Sequence, residues 1–231
     1  FNGSNFKNAA HQAASELISE GNVEDVLTDV YNRIWFASIE HGVGLINLNE
    51  RKISIQYFVP PPADSFPNPQ ILNNSRVSKL CFDGNGNLWV GTRGNGLFTF
   101  DTLTKKFMYV PVENSTATYN KHIRSLFLYK PDTLFVGLIN GLSIINPLNN
   151  NITHLTMHLA GGGELIRPTV RKVLHWAADS FLLATDRGTY WLTLHNQTLV
   201  NIYSDSSKKI NFSKVNSNDI YRYSKDEIWV A

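Results

Sequence analysis

The sequence is poor in cysteine, in charged residues and in long apolar runs, and each shortage excludes a class of protein. A single cysteine, Cys81, excludes disulfide frameworks and thiolate metal clusters, and leaves open only its pairing with a distant histidine. Charged residues make up 17% of the 231 residues and leave a net charge of +2, so nothing indicates a nucleic-acid or anionic-membrane partner. No run reaches the about 18 apolar residues of a membrane helix, and the N-terminus lacks a signal-peptide pattern. We therefore expect a soluble chain or a soluble part of a longer one.

The sequence repeats itself at an interval of about 47 residues. The segment Leu88-Trp89-Val90-Gly91-Thr92 has a counterpart in each copy, and three residues before each aromatic or leucine anchor stands Asn, Gly or Asp. These residue types tolerate the left-handed backbone of a tight hairpin. The anchors, 54, 46, 47 and 47 residues apart, are Trp35, Trp89, Phe135, Leu182 and Trp229.

Each repeat predicts four short strands joined by hairpins. In the second copy these strands are Val77 to Phe82, Leu88 to Thr92, Leu97 to Phe100 and Lys106 to Val110. Four strands in about 46 residues predict an all-β fold, a β-propeller of four-stranded antiparallel blades. The chain would supply about four and a half blades, and so part of a larger protein; the resemblance described below implies a seven-bladed ring. The predicted blades are 23–76, 77–122, 123–169, 170–214 and a partial 215–231, after an N-terminal segment 1–22 that holds a short helix over Ala9–Ser19 or an initial strand.

Positions that recur in every copy are expected to pack rather than to bind, because a ligand site is unique whereas a packing position serves every blade. We therefore predict that Trp35, Trp89 and Trp229 lie between blades. Asp29 and Asp83 stand six residues before their tryptophans, and we predict that they cap the amides of their own hairpins.

The stretch Val77 to Thr92 resembles the two-component regulator propeller repeat, and the resemblance extends over residues 23–231, although the third and fourth copies lack the tryptophan. It implies the periplasmic sensor region of a hybrid two-component regulator, in which two seven-bladed propellers and a β-sandwich precede a span of the inner membrane, a histidine kinase and a receiver. It also implies an oligosaccharide ligand, and as partners the remaining propeller and sandwich domains and a second copy in a homodimer.

The residues themselves offer no catalytic constellation. The seven histidines show no metal-ligand spacing, and no nucleophile elbow or phosphate-binding loop occurs. We expect no metal, no cofactor and no catalysis by this segment. The alternatives are an enzyme acting on carbohydrate or a lyase, since propellers of those classes carry similar strands, and a protein-interaction scaffold.

Residues that break the repeat are the candidates for binding. In a propeller, the turns between second and third strands share one face with the connections into the next blade, and long loops on rigid scaffolds commonly bind. Arg93 and Arg187 are expected to face solvent and suit neutral hydroxyls as well as a sulfate or carboxylate, so both ligand types stay open. Tyr119 and Trp191 could pack on a sugar ring. The predicted ligand-binding residues are His41, Arg76, Arg93, Asn95, His122, Asn140, Arg167, Asp186 and Arg187.

Overall fold

The computed structural model describes residues 22–49, 52–61, 76–112, 121–201, 216–225 and 227–231. The predicted helix over Ala9–Ser19, Tyr119 and most of the connection before Arg76 lie outside them. Blade 1 consists of β1 (Val23–Thr28), β2 (Ile34–Ser38), β3 (Gly42–Asn49) and β4 (Lys52–Phe58). Blade 2 consists of β5 (Val77–Phe82), β6 (Leu88–Thr92), β7 (Leu97–Asp101) and β8 (Lys106–Val110).

Blade 3 consists of β9 (Ile123–Lys130), β10 (Thr133–Leu138), β11 (Gly141–Ile145) and β12 (Ile152–His154). Blade 4 consists of β14 (Val170–Ala177), β15 (Ser180–Thr185), β16 (Gly188–Thr193) and β17 (Thr198–Asn201), with β13 (His158–Leu159) added at its edge. A two-stranded sheet of β18 (Ile220–Arg222) and β19 (Ile228–Val230) follows.

The sheets confirm the predicted partial β-propeller. In each of the four blades the four hairpin-linked strands lie side by side in chain order and are antiparallel. The first strands of successive blades contact one another, β1 with β5, β5 with β9 and β9 with β14, so these inner strands line the axis. The predicted strands of blade 2 agree with the observed ones to within one residue.

The first hairpin of blade 2 is held by Asp83, as predicted. Its Oδ1 accepts hydrogen bonds from the backbone amides of Asn85 at 2.8 Å and Asn87 at 3.0 Å. Its Oδ2 accepts a further bond from the indole Nε1 of Trp89 at 3.2 Å, and Asp29 makes the equivalent bonds in blade 1. The carboxylate therefore does more than cap the turn, because it also orients the tryptophan of the following strand.

The anchor residues of four copies pack between neighbouring blades, which confirms the prediction for Trp35 and Trp89. The ring centroid of Trp35 in β2 lies 6.0 Å from that of Phe100 in β7. The centroid of Phe135 in β10 lies 4.7 Å from that of Phe181 in β15. Trp89 lies in the buried cluster shared by blades 2 and 3, and Leu182 lies in the cluster between blade 4 and β18.

The prediction that Trp229 is buried between blades is wrong. Its side chain is 59% exposed, and its ring stacks on that of Tyr223 with centroids 5.4 Å apart. Its strand, β19, pairs with β18 and with no other strand among the described residues. A repeat position buries its side chain only where a neighbouring blade lies over it.

In blades 2 and 3 the second strand approaches the next blade so closely that it carries a glycine there. Blades 1 and 4 have another small residue, Ala37 and Ala184, at the equivalent position. A Cβ atom on Gly91 would lie 2.6 Å from Cγ2 of Ile123, and one on Gly137 would lie 2.4 Å from the carbonyl oxygen of Val170. At the first of these contacts the hydroxyl of Ser78 donates to the carbonyl of Ile123 at 3.0 Å. The glycine of the Leu-Trp-Val-Gly-Thr segment is thus explained by a steric limit between blades.

One strand lies outside the repeat pattern and was not predicted. β13 pairs parallel with β17, the outer strand of the following blade. The amide of His158 donates to the carbonyl of Gln197 at 3.0 Å, and the amide of Ala160 donates to the carbonyl of Leu199 at 2.9 Å. Part of the long connection into blade 4 therefore covers the edge of that blade.

We expect Trp89→Ala to lower the free energy of unfolding by about 3–5 kcal/mol, because truncation leaves a cavity between blades 2 and 3. Trp229→Ala removes an exposed ring at the equivalent repeat position and serves as the matched control, with an expected loss under about 1 kcal/mol. Urea denaturation of both variants measures the difference. Equal losses would contradict the burial assigned to the two rings.

We expect Gly137→Ala to destabilise the fold by about 1–3 kcal/mol, because the added methyl meets the rigid backbone of the next blade. Gly161→Ala is the control, since nothing lies within 4 Å of a Cβ at that position. Melting temperatures of the two variants would test this, and a Gly137→Ala variant as stable as the unmodified protein would refute the steric limit.

Candidate functional site

The turns between second and third strands are braced by a hydroxyl at the end of the second strand. The Oγ1 of Thr92 donates to the carbonyl of Gly96 at 2.7 Å and accepts from the amide of Asn95 at 3.0 Å. The Oγ1 of Thr185 likewise accepts from the amide of Arg187 at 3.0 Å. The threonine that ends the repeat segment therefore shapes the turns that carry the predicted binding residues, and it leaves Asn95 buried.

The structure brings three predicted residues together beside the ends of the inner strands. The amide of Arg93 donates to the carbonyl of Arg76 at 2.8 Å, and Arg93 forms an isolated β-bridge with His122. Gly94 packs close to the His122 ring, since a Cβ on it would lie 3.6 Å from the Nε2 atom. Arg76 and His122 directly precede β5 and β9, so this group lies at one mouth of the central channel, here called the channel mouth.

A β-bulge recurs near the start of each inner strand, and in blades 1, 3 and 4 it adds a charged side chain to the channel mouth. In all four blades the register shifts between the first and third residues of the strand. A bulge redirects the extra side chain and is common next to binding sites. The extra residues are Glu24, Ser78, Arg124 and Arg171.

The sequence reasoning missed Arg124 and Arg171. Both directly follow a recurring valine or isoleucine of the repeat and therefore looked like ordinary positions of an inner strand. The signal that could have found them is variation at one repeat position, where the four copies carry Glu, Ser, Arg and Arg.

An ion pair joins blades 1 and 2 at the channel mouth. Nη2 of Arg93 lies 2.5 Å from Oε2 of Glu24, and the two side chains are 33% and 26% exposed. Arg93, which the sequence predicts to face solvent, is thus partly exposed, and its guanidinium also pairs with a carboxylate. The braced turn after β6 directs the guanidinium towards the bulge of the preceding blade, where it meets the carboxylate.

Arg124 lies among other positive charges. Burial lowers the pKa of Arg124, and the charges of Arg93 and Arg171 lower it further, while Glu24 acts in the opposite direction. The Nε atoms of Arg93 and Arg124 are both buried and have no hydrogen-bond partner within the described residues. Because a buried donor without an acceptor is unfavourable, the site is short of acceptor oxygens.

The same charges act on His122. Burial lowers the pKa of its imidazole, and the neighbouring Arg124, Arg93 and Arg76 lower it further. The ring is therefore mainly neutral at pH 7, where it offers one donor and one acceptor nitrogen.

A second group of predicted residues lies where blade 3 meets blade 4. The Oδ1 of Asp186 accepts a hydrogen bond from the amide of Thr169 at 2.8 Å. The Thr169 hydroxyl donates to the carbonyl of Ile139, which directly precedes Asn140. Asp186 thus holds the connection that precedes β14. Arg167 and Arg187 are exposed on the loops of this group, and Arg167 has a left-handed backbone with φ of 47°.

His41 and Trp191 pack against aromatic rings. The imidazole centroid of His41 lies 5.0 Å from that of Tyr57, on blade 1. Trp191 meets Trp176 edge to face at 5.2 Å, in the cluster between blade 4 and β18. Neither ring has a described contact with the residues of the channel mouth.

Within the described ranges, no cluster of three histidine, cysteine, aspartate or glutamate side chains could hold a metal ion. The same part of the chain has no helix that is both long enough and apolar enough to cross a membrane.

The channel mouth lies at the blade that also carries the family signature. The family model described as "Two component regulator propeller" matches residues 71–94, which contain β5, β6 and Arg93. The chain carries a two component regulator propeller repeat. This confirms the resemblance drawn from the residues of the second copy, whereas no curated protein matches the chain.

Solved structures share the fold at low identity. PorZ, a surface component of the type-IX secretion system of Porphyromonas gingivalis, is 17% identical with a TM-score of 0.62, over 95% of this chain and 33% of that one. A catalytically inactive virginiamycin B lyase from Staphylococcus aureus with quinupristin is 15% identical with a TM-score of 0.63, over 93% of this chain and 64% of the lyase. The extracellular domain of a hybrid two component system from B. thetaiotaomicron is 19% identical with a TM-score of 0.49, over 94% of this chain and 33% of that domain. This chain thus spans about a third of the length of the first and third of these proteins. The TM-scores of the first two show that the chain shares their fold.

The lowered pKa of His122 predicts a pH-dependent stability. A histidine in an unfolded chain titrates at about pH 6.5. On acidification, His122 is therefore protonated in the unfolded chain before it is protonated in the folded protein. We expect the free energy of unfolding to decline as the pH falls from about 6.5 through the folded pKa, and His122→Gln to reduce that decline.

Urea denaturation at several pH values between about 5 and 7 measures this effect. His195→Gln is the control, because that imidazole lies at the surface with its Nδ1 2.7 Å from a carboxylate oxygen of Asp179. The assignment would be wrong if His122→Gln and the unmodified protein lost stability in parallel.

Proposed function

We propose that the chain is a non-catalytic, ligand-sensing β-propeller of a periplasmic sensor whose parent protein carries an inner-membrane anchor and a histidine kinase. The two component regulator propeller repeat at residues 71–94 supports the class of protein. The observation that supports a ligand site is that one mouth of the channel brings together four side chains, those of Arg76, Arg93, His122 and Arg124. Arg76, Arg93 and His122 come from the connections and turns that a propeller places on one face, and Arg124 comes from the bulge of β9.

An oligosaccharide is the ligand class that we propose for this mouth. A sugar presents neighbouring hydroxyls, and the planar guanidinium groups of Arg93 and Arg124 offer several donors in a fixed plane to such pairs. His122, with one donor and one acceptor nitrogen, can bond a further hydroxyl. The partly exposed Arg93 side chain makes the mouth accessible from solvent.

Sensing would act through the contacts that the mouth makes between blades. The Arg93–Glu24 pair joins blades 1 and 2, and Arg171 donates to Asn218, 2.8 Å away and just before β18. A ligand that bonds these side chains changes the free energy of the contacts between blades and with neighbouring domains. The partners that we propose are the other propeller and sandwich domains of the parent and a second copy in a homodimer.

Calorimetric titration against a panel of neutral and acidic oligosaccharides, with chromatography of the same samples, tests the proposal. We expect heat of binding with every oligosaccharide recovered intact. Turnover that one carboxylate substitution abolishes would assign an enzyme instead. Absence of binding to the whole panel, with a protein partner retained in a pull-down, would assign a scaffold. Either outcome overturns the proposal.

Arg93→Ala should weaken binding of the best oligosaccharide by about tenfold or more, because it removes a charged donor from the mouth. Lys106→Ala is the matched control, since it removes one positive charge from the exposed outer strand of the same blade. Calorimetry gives both affinities, and circular dichroism checks that the blades stay folded. Unchanged affinity in Arg93→Ala would remove the site from the channel mouth.

A further inference from the structure

The channel mouth holds more positive charge than its own acidic side chains balance. Arg76, Arg93, Arg124 and Arg171 all act on the titration of neighbouring groups there. Within the described part of the chain, the one ion pair formed by any of these four arginines joins Arg93 to Glu24. One carboxylate thus faces four guanidinium groups.

The other hydrogen bonds that these arginines make to described residues reach no carboxylate. Arg171 donates through Nη1 to the side-chain oxygens of Asn216 and Asn218, which are neutral amides. Arg76 is exposed, and its backbone carbonyl accepts the amide of Arg93. Neutral acceptors satisfy hydrogen bonds but leave the repulsion between the arginines in place.

Two donors at this mouth also lack acceptors. The Nε atoms of Arg93 and Arg124 are buried and make no hydrogen bond to any described residue. Arg93 itself is 33% exposed, so solvent and solutes reach the group from the channel. The mouth therefore combines excess charge, unbonded donors and access, which together suit an incoming anion.

We infer that the channel mouth binds an anionic group of the ligand, a carboxylate or a sulfate ester, through Arg93 and Arg124. The anionic group of the ligand displaces the carboxylate of Glu24 from Arg93. The inference rests on the proposed function and narrows it, since it names an acidic oligosaccharide as the ligand of the same site. A guanidinium fork matches two oxygens of a carboxylate or sulfate and binds them more strongly than it binds hydroxyls.

Matched ligand pairs test the anionic group directly. One pair is a uronic-acid tetrasaccharide and its carboxyl-reduced form, and the other is a sulfated tetrasaccharide and its desulfated form. We expect the acidic member of one pair to bind about tenfold or more tightly than its neutral form, with an affinity that falls as salt is added. The pair that shows the difference identifies carboxylate or sulfate as the group.

Variants test the residues. Arg124→Ala should lower the affinity for the acidic tetrasaccharide by about tenfold or more, while the control Lys106→Ala leaves it unchanged. Glu24→Gln should raise the affinity by about two- to fivefold, because it removes the competing carboxylate while keeping the shape of the side chain. A gain of affinity is informative, since damage to the fold would not produce one.

The two levels of the proposal fail in different ways. Equal binding of the acidic and neutral members of both pairs would overturn the anionic inference and leave the sensing function standing. A failure of all four tetrasaccharides and of the wider panel to bind would overturn the sensing function itself. An affinity that falls in Glu24→Gln would show that the carboxylate holds the ligand rather than competes with it, which also overturns the inference.

Discussion

The close approach between the second strand of one blade and the inner strand of the next is the constraint on which the rest of the structure depends. At Gly91 the backbone of blade 2 comes so near to Ile123 that there is no room for a Cβ atom. At this distance the large anchor beside it, Trp89, is buried against the next blade and excludes water. A small residue at this position and a large residue two places earlier therefore belong to the same packing contact, which recurs in blades 1 to 4.

The same contact also determines the geometry of the channel mouth. In β9, Ile123 touches the neighbouring blade, and the bulged residue Arg124 directly follows it. The bulged side chain therefore lies at the boundary between blades. The braced turn begins one residue after the close approach on the second strand, at Thr92. Arg93 lies in the braced turn and Glu24 at the bulge, so both members of the ion pair occupy positions next to a contact between blades. A change that altered the packing between blades would therefore move the binding groups as well.

The repeat made the fold predictable, because every blade buries the same positions and therefore keeps the same residue types there. The strands of blade 2, the caps at Asp83 and the burial of Trp89 follow from that periodicity. The role of Arg124 did not follow, because a bulge breaks the alternation of a strand, so the period does not give the direction of the extra side chain. β13 also escaped prediction, since two residues carry no period and their partner lies some 40 residues away, where Gln197 accepts from His158.

Net charge is a weak guide to the electrostatics of such a chain. The total of +2 gave no reason to expect an anionic partner, yet four arginines face one carboxylate at the channel mouth. A sum over the chain averages this cluster with acids that are engaged elsewhere, as Asp29 is with Arg33 at 2.6 Å. What a ligand meets is the local potential, and burial strengthens it by removing the water that would screen it. Within the described part of the chain, Glu24 is the one carboxylate that forms an ion pair with these arginines, so the local excess of positive charge stands although charged residues make up only 17% of the sequence.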